Sequence, residues 1–324
     1  MTPLTVTPLA LGCEALGATD WGAVDPRQLH AAVRCALDCG IAVFDTADVY
    51  GLGRGEEQLS LALGEDRHRV TIVTKGGVRW ATPAPGARAK TRRDASAAYL
   101  RSALEHSLRR LRVDAIPLYL VHWPDPDTPV GETLECLEQA RVAGKIQAYG
   151  LSNVGFPQVQ AARAVAGVAA VEGPLSLLSP DAALRELAGA RGLGLTTLTY
   201  GTLAQGLLTG DYSAQSVFDA TDRRHRLRHF APDAWAGHRP LLDEVAAIAS
   251  EIGRTAAQVS IRWVMDSGVS STAIVGAQSP DQVLDTVAAL SWSLGGAHLA
   301  RLGAARRRAG VASGDAVAPR WAAT

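Results

Sequence analysis

Short apolar runs rich in Val, Ile, Leu and Thr recur along the chain, and between them lie segments whose apolar positions repeat at helical spacing. The runs are Leu9 to Gly12, Ile41 to Thr46, Val70 to Lys75, Pro117 to His122, Ile146 to Ser152, Ala169 to Gly173, Leu195 to Gly201 and Thr272 to Gly276. Unbroken apolar character over so few residues fits strands covered on both faces, as in a parallel sheet. The helical segments are Pro26 to Cys39, Glu56 to Leu63, Asp94 to Leu111, Glu132 to Ala143, Pro157 to Ala166, Asp181 to Ala190, Pro240 to Asp266 with a break at Gly253, and Pro280 to Leu290. Asp25-Pro26, Thr128-Pro129 and Ser279-Pro280 read as helix starts, with a short oxygen side chain as cap and proline in the first turn.

About eight strand–helix repeats fit either a closed (β/α) barrel or a doubly wound sheet, since both supply right-handed crossovers between parallel strands. A doubly wound dinucleotide fold needs G-x-G-x-x-G after its first strand. The nearest approach, Gly51-Leu-Gly53-Arg-Gly55-Glu56, has Glu56 in place of the third glycine and reads as a turn. No proline-rich linker divides the chain, whereas Trp80 to Lys90 and Gly210 to Gly237 read as long excursions of the kind that form lids or binding loops.

Composition narrows the function classes. The 324 residues are 47% hydrophobic and 20% charged, which allows a large buried core. Lys plus Arg equals Asp plus Glu at 32 each, so nothing sustains the positive field of a nucleic-acid binder. Cys13, Cys35, Cys39 and Cys136 have no zinc-type spacing and read as thiols in a reducing compartment. His225 and His229 are four apart without a third ligand, so no metal site is expected. No apolar run approaches the ~20 residues of a membrane span. The stretch from Met1 to Leu16 lacks the basic region and cleavage site of a secretion signal, and a cytoplasmic protein is expected.

Reactive side chains end the apolar runs. Asp45, Lys75, His122, Ser152 with Asn153, Glu172 and Tyr200 each close one, and Tyr50 lies just past the run that ends near Asp45. Singly, Asp45 reads as a turn carboxylate, Lys75 as a solvated strand end and His122 as a hydrogen-bonded core histidine. Converging on one barrel mouth, they suit acid catalysis at a carbonyl. A Lys75 ammonium oriented by Asp45 is expected to lower the Tyr50 pKa from ~10, and His122 to orient the carbonyl by donating from a ring nitrogen. Such a site implies a reduced nicotinamide as hydride source. Trp21, Trp80 and Trp123 follow strands or strand-end motifs and are expected to line the substrate mouth, with packing as the rival role.

Phe44-Asp-Thr-Ala-Asp-Val-Tyr50 with Glu56-Glu57, Val73-Thr-Lys75, Val121-His-Trp-Pro-Asp-Pro-Asp-Thr128, Gly150-Leu-Ser-Asn153 and Gly206-Leu-Leu-Thr-Gly210 resemble the aldo-keto reductase family, in its order, from about Leu9 to about Leu290. The resemblance implies an α/β fold: a single (β/α)8 TIM barrel over residues 1–324, with long loops at its C-terminal face, binding NADPH or alternatively NADH. It implies Tyr50 as general acid, tuned by Lys75 and Asp45, and His122 orienting a small-molecule carbonyl substrate. Ser152, Asn153 and Glu172 correspond to the nicotinamide carboxamide clamp, and Tyr200 to the aromatic that stacks on the ring. Gly201, Thr202, Leu203, Gln205 and Gly206 fall in the pyrophosphate loop. Gly276, Gln278, Gln282, Asp285 and Thr286 fall in the adenosine-phosphate segment.

The sequence departs from the family pattern at several of these positions. Glu172 replaces a glutamine, Leu175-Ser176 replaces Tyr-Asn, Gly201-Thr202 replaces Ser-Pro and Gln205 replaces an arginine. Gln278 replaces an Arg or Lys, and Thr286 an asparagine. Loss of the cation at Gln278 removes a charge-assisted contact to a 2′-phosphate. The basic run Arg223-Arg224-His225-Arg226 with Arg228-His229 reads as a solvated loop face. The rival functions are a redox-sensing barrel that binds the nucleotide with little turnover, and a barrel repurposed for a biosynthetic step. No membrane or nucleic-acid partner is expected.

Overall fold

Each of the eight apolar runs forms a strand, and parallel pairing closes them into one barrel. A computed structural model describes residues 6–84 and 88–311. The barrel strands are β1 (Leu9–Gly12), β2 (Val43–Asp45), β3 (Thr71–Gly76), β6 (Ile116–Val121), β7 (Ile146–Ser152), β8 (Ala170–Pro174), β9 (Thr196–Tyr200) and β10 (Thr272–Gly276). Between them run α1 (Pro26–Asp38), α2 (Arg54–Leu63), α3 (Ala97–Leu111), α4 (Val130–Val142), α5 (Phe156–Val165), α6 (Asp181–Gly192), α7 (Pro232–Ile252) and α8 (Ala256–Asp266). Two more helices, α9 (Pro280–Ala288) and α10 (Gly296–Arg308), follow the last strand.

The near-continuous apolar character of the strands has a two-sided cause. Ala10, Val43, Val73, Leu118, Leu120, Ala148, Ala170, Leu198 and Ile274 fill the barrel interior. Leu11, Phe44, Ile72, Tyr119 and Tyr149 alternate with them and pack outward, against Leu29, Leu59, Leu104 and Leu137 of the surrounding helices. Period-two alternation is therefore real but invisible as polarity, because both faces are dry.

Asp25 accepts from Arg27 N and Ser279 from Gln282 N, as their Asx-Pro and Ser-Pro starts imply. Thr128-Pro129 behaves differently. Pro129 is itself the N-cap, and the Thr128 hydroxyl donates to Asp125 at 2.7 Å. The helix expected from Pro240 opens at Pro232 and carries Pro240 inside it. The Trp80 to Lys90 excursion is flanked by two antiparallel strands, β4 (Val78–Trp80) and β5 (Thr91–Arg93), and residues 85–87 of it lie outside the described residues. Residues 312–324 also lie outside them.

Candidate active site

Three strand ends deliver one cluster. Asp45 closes β2, Lys75 is the penultimate residue of β3, and His122 directly follows β6. Past β2 the chain makes a tight 3-10 turn over Tyr50–Gly53, with Gly51 at φ 59° and Gly53 at φ 100°. A side chain on Gly51 would place its Cβ 2.3 Å from the Gly17 carbonyl oxygen, so the close approach of these two loops requires glycine. That turn folds Tyr50 back over the barrel. Its ring meets the His122 ring edge-on with centroids 5.9 Å apart, and the Lys75 ammonium lies 5.9 Å from the Tyr50 centroid.

Lys75 is fully buried and saturated with oxygen. Its Nζ donates to Asp45 Oδ2 at 2.5 Å and to the Thr46 carbonyl at 3.0 Å, and lies 3.3 Å from Glu172 Oε2. Burial by itself disfavours the ammonium, but Asp45 and then Glu172 outweigh it and raise the Lys75 pKa. His122 goes the other way: burial and the Lys75 charge lower it to about 3, so the imidazole is neutral near pH 7 and offers one N–H.

For Tyr50 the structure reverses the expected direction. Burial, followed by repulsion from Glu14, Asp45 and Glu172, pushes its pKa well above the ordinary phenol value. The Lys75 cation is already matched by Asp45 at 2.5 Å, and little of its charge is left to stabilise a phenolate. Tyr50 thus holds its proton firmly.

The residues matched to the carboxamide clamp also meet. Ser152 Oγ donates to Glu172 Oε1 at 3.3 Å, and Asn153 Nδ2 donates to the His122 carbonyl at 2.9 Å and to Ser152 Oγ at 3.1 Å. Tyr200 OH donates to Asn153 Oδ1 at 2.6 Å, which fixes the tyrosine ring at the end of β9. After Tyr200, a 3-10 segment over Ala204–Thr209 runs through left-handed backbone at Gln205 and Gly206. Gly201 is also left-handed, Thr202 ties the loop to β10 by donating to the Ile274 carbonyl at 3.0 Å, and Leu203 after it is half-buried.

Gly276 is exposed at the end of β10, and beyond it the Gln278 N–H donates to Gln282 Oε1 at 2.8 Å across the start of α9. Asp285 is held by the helix before β10. It accepts from Thr255 Oγ1 and from Gln258 Nε2, at 2.6 Å for the latter, and joins α9 to α8. Thr286 is buried.

The three tryptophans are all half-buried. Trp21 carries the Arg223 and Arg224 guanidinium groups over its ring at 5.6 and 5.7 Å, Trp123 carries that of Arg93 at 5.1 Å, and Trp80 lies in the β4–β5 hairpin opposite Thr91. The basic run is solvated only in part: His225, Arg226 and Arg228 are exposed, whereas Arg223, Arg224 and His229 are half-buried. Arg223 pairs with Glu14 at 2.8 Å, Arg226 with Asp20 at 2.9 Å and Arg224 with Asp222 at 2.5 Å. The Glu14 and Asp20 pairs and the Trp21–Asp222 bridge dock the long excursion onto the loop after β1, while the Tyr212, Phe218 and Phe230 rings pack against one another inside it.

Two residues of this site carry no assignment in the sequence reading. Glu14, two positions past β1, contributes negative charge to both Tyr50 and Tyr200. Asp48 is fully buried with neither oxygen hydrogen-bonded, and burial followed by Glu56 holds its pKa well above the carboxylate range. Position just beyond a strand end was the available signal for both. Among the described residues, no group of three or more His, Cys, Asp or Glu side chains is placed to hold a metal, and no helix is long and apolar enough to cross a membrane.

The chain matches the model of the Aldo/keto reductase family over residues 8–306. It is 32% identical over 296 residues to Aldo-keto reductase YhdN of Bacillus subtilis (strain 168), covering 90% of this chain and 88% of that one. The structure of the glycerol dehydrogenase AKR11B4 from Gluconobacter oxydans superposes with a TM-score of 0.86 at 33% identity, covering 96% of this chain and 94% of that one. An aldo-keto reductase from Klebsiella pneumoniae in complex with NADPH gives a TM-score of 0.72 at 28% identity, covering 92% and 90%. A likeness that runs from the first strand into the last helix establishes that this chain belongs to the aldo/keto reductase family.

Proposed function

We propose that this protein is a nicotinamide-dependent carbonyl reductase that converts an aldehyde, ketone or keto-sugar to the alcohol, with Tyr50 as the general acid. The observation that carries this reading is the buried Lys75–Asp45 pair beside Tyr50 and a neutral His122 at one barrel mouth. The residues present fit the cofactor: Ser152, Asn153 and Glu172 are buried side by side and bring the hydroxyl, amide and carboxyl groups that a carboxamide's donors and acceptors need, with Glu172 Oε2 meeting the Lys75 ammonium at 3.3 Å and making no hydrogen bond. When bound, the reduced nicotinamide supplies the hydride. NADPH is the preferred form, as in the Klebsiella complex, and NADH is also accepted because Gln278 brings no cation to the 2′-position.

Within this reading His122 donates from its ring nitrogen to the carbonyl oxygen and fixes its direction. Tyr50 keeps its proton until the oxygen gains alkoxide character, and an alkoxide is basic enough to take a proton even from a phenol of raised pKa. Lys75 and Asp45 act on Tyr50 from behind, through position and charge. Tyr200, pinned by Asn153, offers a flat surface for the nicotinamide. Tyr50→Phe removes the proton and leaves the ring, so turnover should fall by at least about a hundredfold. NADPH binding, followed by protein fluorescence, should be unaltered. Wild-type turnover in that variant refutes Tyr50 as the acid.

A further inference from the structure

The cluster beneath Tyr50 has more carboxyl groups than cations. Lys75 Nζ lies between Asp45 Oδ2 at 2.5 Å and Glu172 Oε2 at 3.3 Å, and all three side chains are buried. A single ammonium balances one carboxylate. With both carboxyls ionised, the floor of the site carries an uncompensated negative charge in a dry interior, which is costly. A glutamine at position 172 would leave the Lys75–Asp45 pair to balance itself.

Resting on the nicotinamide site read above, we propose that Glu172 is a proton-exchanging residue that sets which redox form of the nicotinamide the site prefers. With its proton on, Glu172 can donate and accept like an amide, and the site suits the uncharged reduced ring. With its proton released to solvent, Glu172 loses that donor and presents a buried negative charge, which favours the cationic oxidised ring. Only a proton moves: the carboxylic acid becomes a carboxylate and the buffer takes the hydrogen ion.

The surroundings single out this residue. Facing Glu172 are Asp45 from β2, Lys75 from β3, Ser152 from β7 and Tyr200 from β9. Tyr50 and His122 stand across the mouth, with Cys13 and Glu14 past β1 and Arg223 paired to Glu14. Burial holds Tyr50, Tyr200 and Cys13 protonated, each pushed above its ordinary range, and keeps His122 neutral above about pH 3. Lys75, raised by its two carboxylates, keeps its charge. Burial and then Asp45 push Glu172 up to about 8, so its charge changes at mildly alkaline pH; burial raises Glu14 as well, and Glu172→Gln separates the two.

Binding of NADP+ and NADPH to the intact protein, titrated by fluorescence from pH 6.5 to 9, tests this directly. The ratio of affinities, oxidised over reduced, should rise with pH by up to about tenfold per unit as Glu172 ionises. In Glu172→Gln the ratio should be flat. By reciprocity, NADP+ binding to the wild-type protein near pH 7.5 should release a proton, read by calorimetry in buffers of different ionisation enthalpy. That count needs no variant. A ratio that is flat in the wild-type protein, or no proton release, overturns the proposal, as does a pH profile identical in wild type and Glu172→Gln. If neither nucleotide binds the wild-type protein, the nicotinamide reading itself fails and the proposal falls with it. Binding that is indifferent to Glu172→Gln overturns the proposal alone.

Discussion

At Gln278 the chain gives up a cation where the resemblance leads one to expect it. The Gln278 N–H is held by Gln282 Oε1 at 2.8 Å, so its side chain sits at the positive end of α9 without a charge of its own. Gln278→Arg should raise the preference for NADPH over NADH by about tenfold or more, because a hydrogen bond to a charged group contributes about 1.5–3 kcal/mol. The ratio of dissociation constants for the two reduced nucleotides checks this; an unchanged ratio means that the 2′-phosphate is bound elsewhere. Residues such as Asp45, Lys75 and His122 were legible in the sequence because each ends a strand that leads to the mouth. The protonation of Tyr50 was not. Its environment combines burial with Glu14 past β1, Asp45 from β2, Glu172 from β8 and Tyr200 from β9, and the motif around Tyr50 contains only Asp45 of these.

Among the elements, the interior strands follow from their apolar runs, and β1, β7 and β10 have the expected bounds. Hairpin β4–β5 was hidden because Val78–Trp80 and Thr91–Arg93 are short, largely exposed and pair only with each other. Helix α10 was missed for a different reason: it begins at Gly296, ends in three arginines, and buries only Leu302, Ala305 and Arg306. The turn over Tyr50–Gly53 is the element on which the site depends most directly. In Gly51→Ala the new Cβ would lie 2.3 Å from the Gly17 oxygen and occupy left-handed backbone, so the turn must move and Tyr50 with it. The expected result is a loss of about 1–3 kcal/mol of stability together with a fall in kcat. Thermal unfolding and steady-state kinetics measure the two, and a wild-type kcat would show that this turn does not aim the tyrosine.

On the scale of the whole molecule, repeat count left two architectures standing, and the closed order of the eight barrel strands decides between them. Closure also gathers the buried titratable groups at one end of the barrel, which makes stability depend on pH in a way that composition does not reveal. His122 drops from 6.5 to about 3, so between those values the unfolded chain binds a proton that the native state does not, and stability rises with pH. Glu172 rises from 4.5 to about 8, so across that window the native state binds the extra proton, and its contribution to stability is lost as pH increases. Each slope is about 1.4 kcal/mol per pH unit at full effect. Between pH 4.5 and 6.5 the two oppose each other, and from 6.5 to 8 Glu172 acts without His122. Relative to Glu172→Gln, the wild-type protein should therefore lose stability steadily from pH 4.5 to 8. Relative to His122→Gln, it should gain stability up to pH 6.5 and then level off. Denaturant unfolding of the three proteins across this range measures both differences, and slopes of the same sign below pH 6.5 would contradict the assignment of charge to this site.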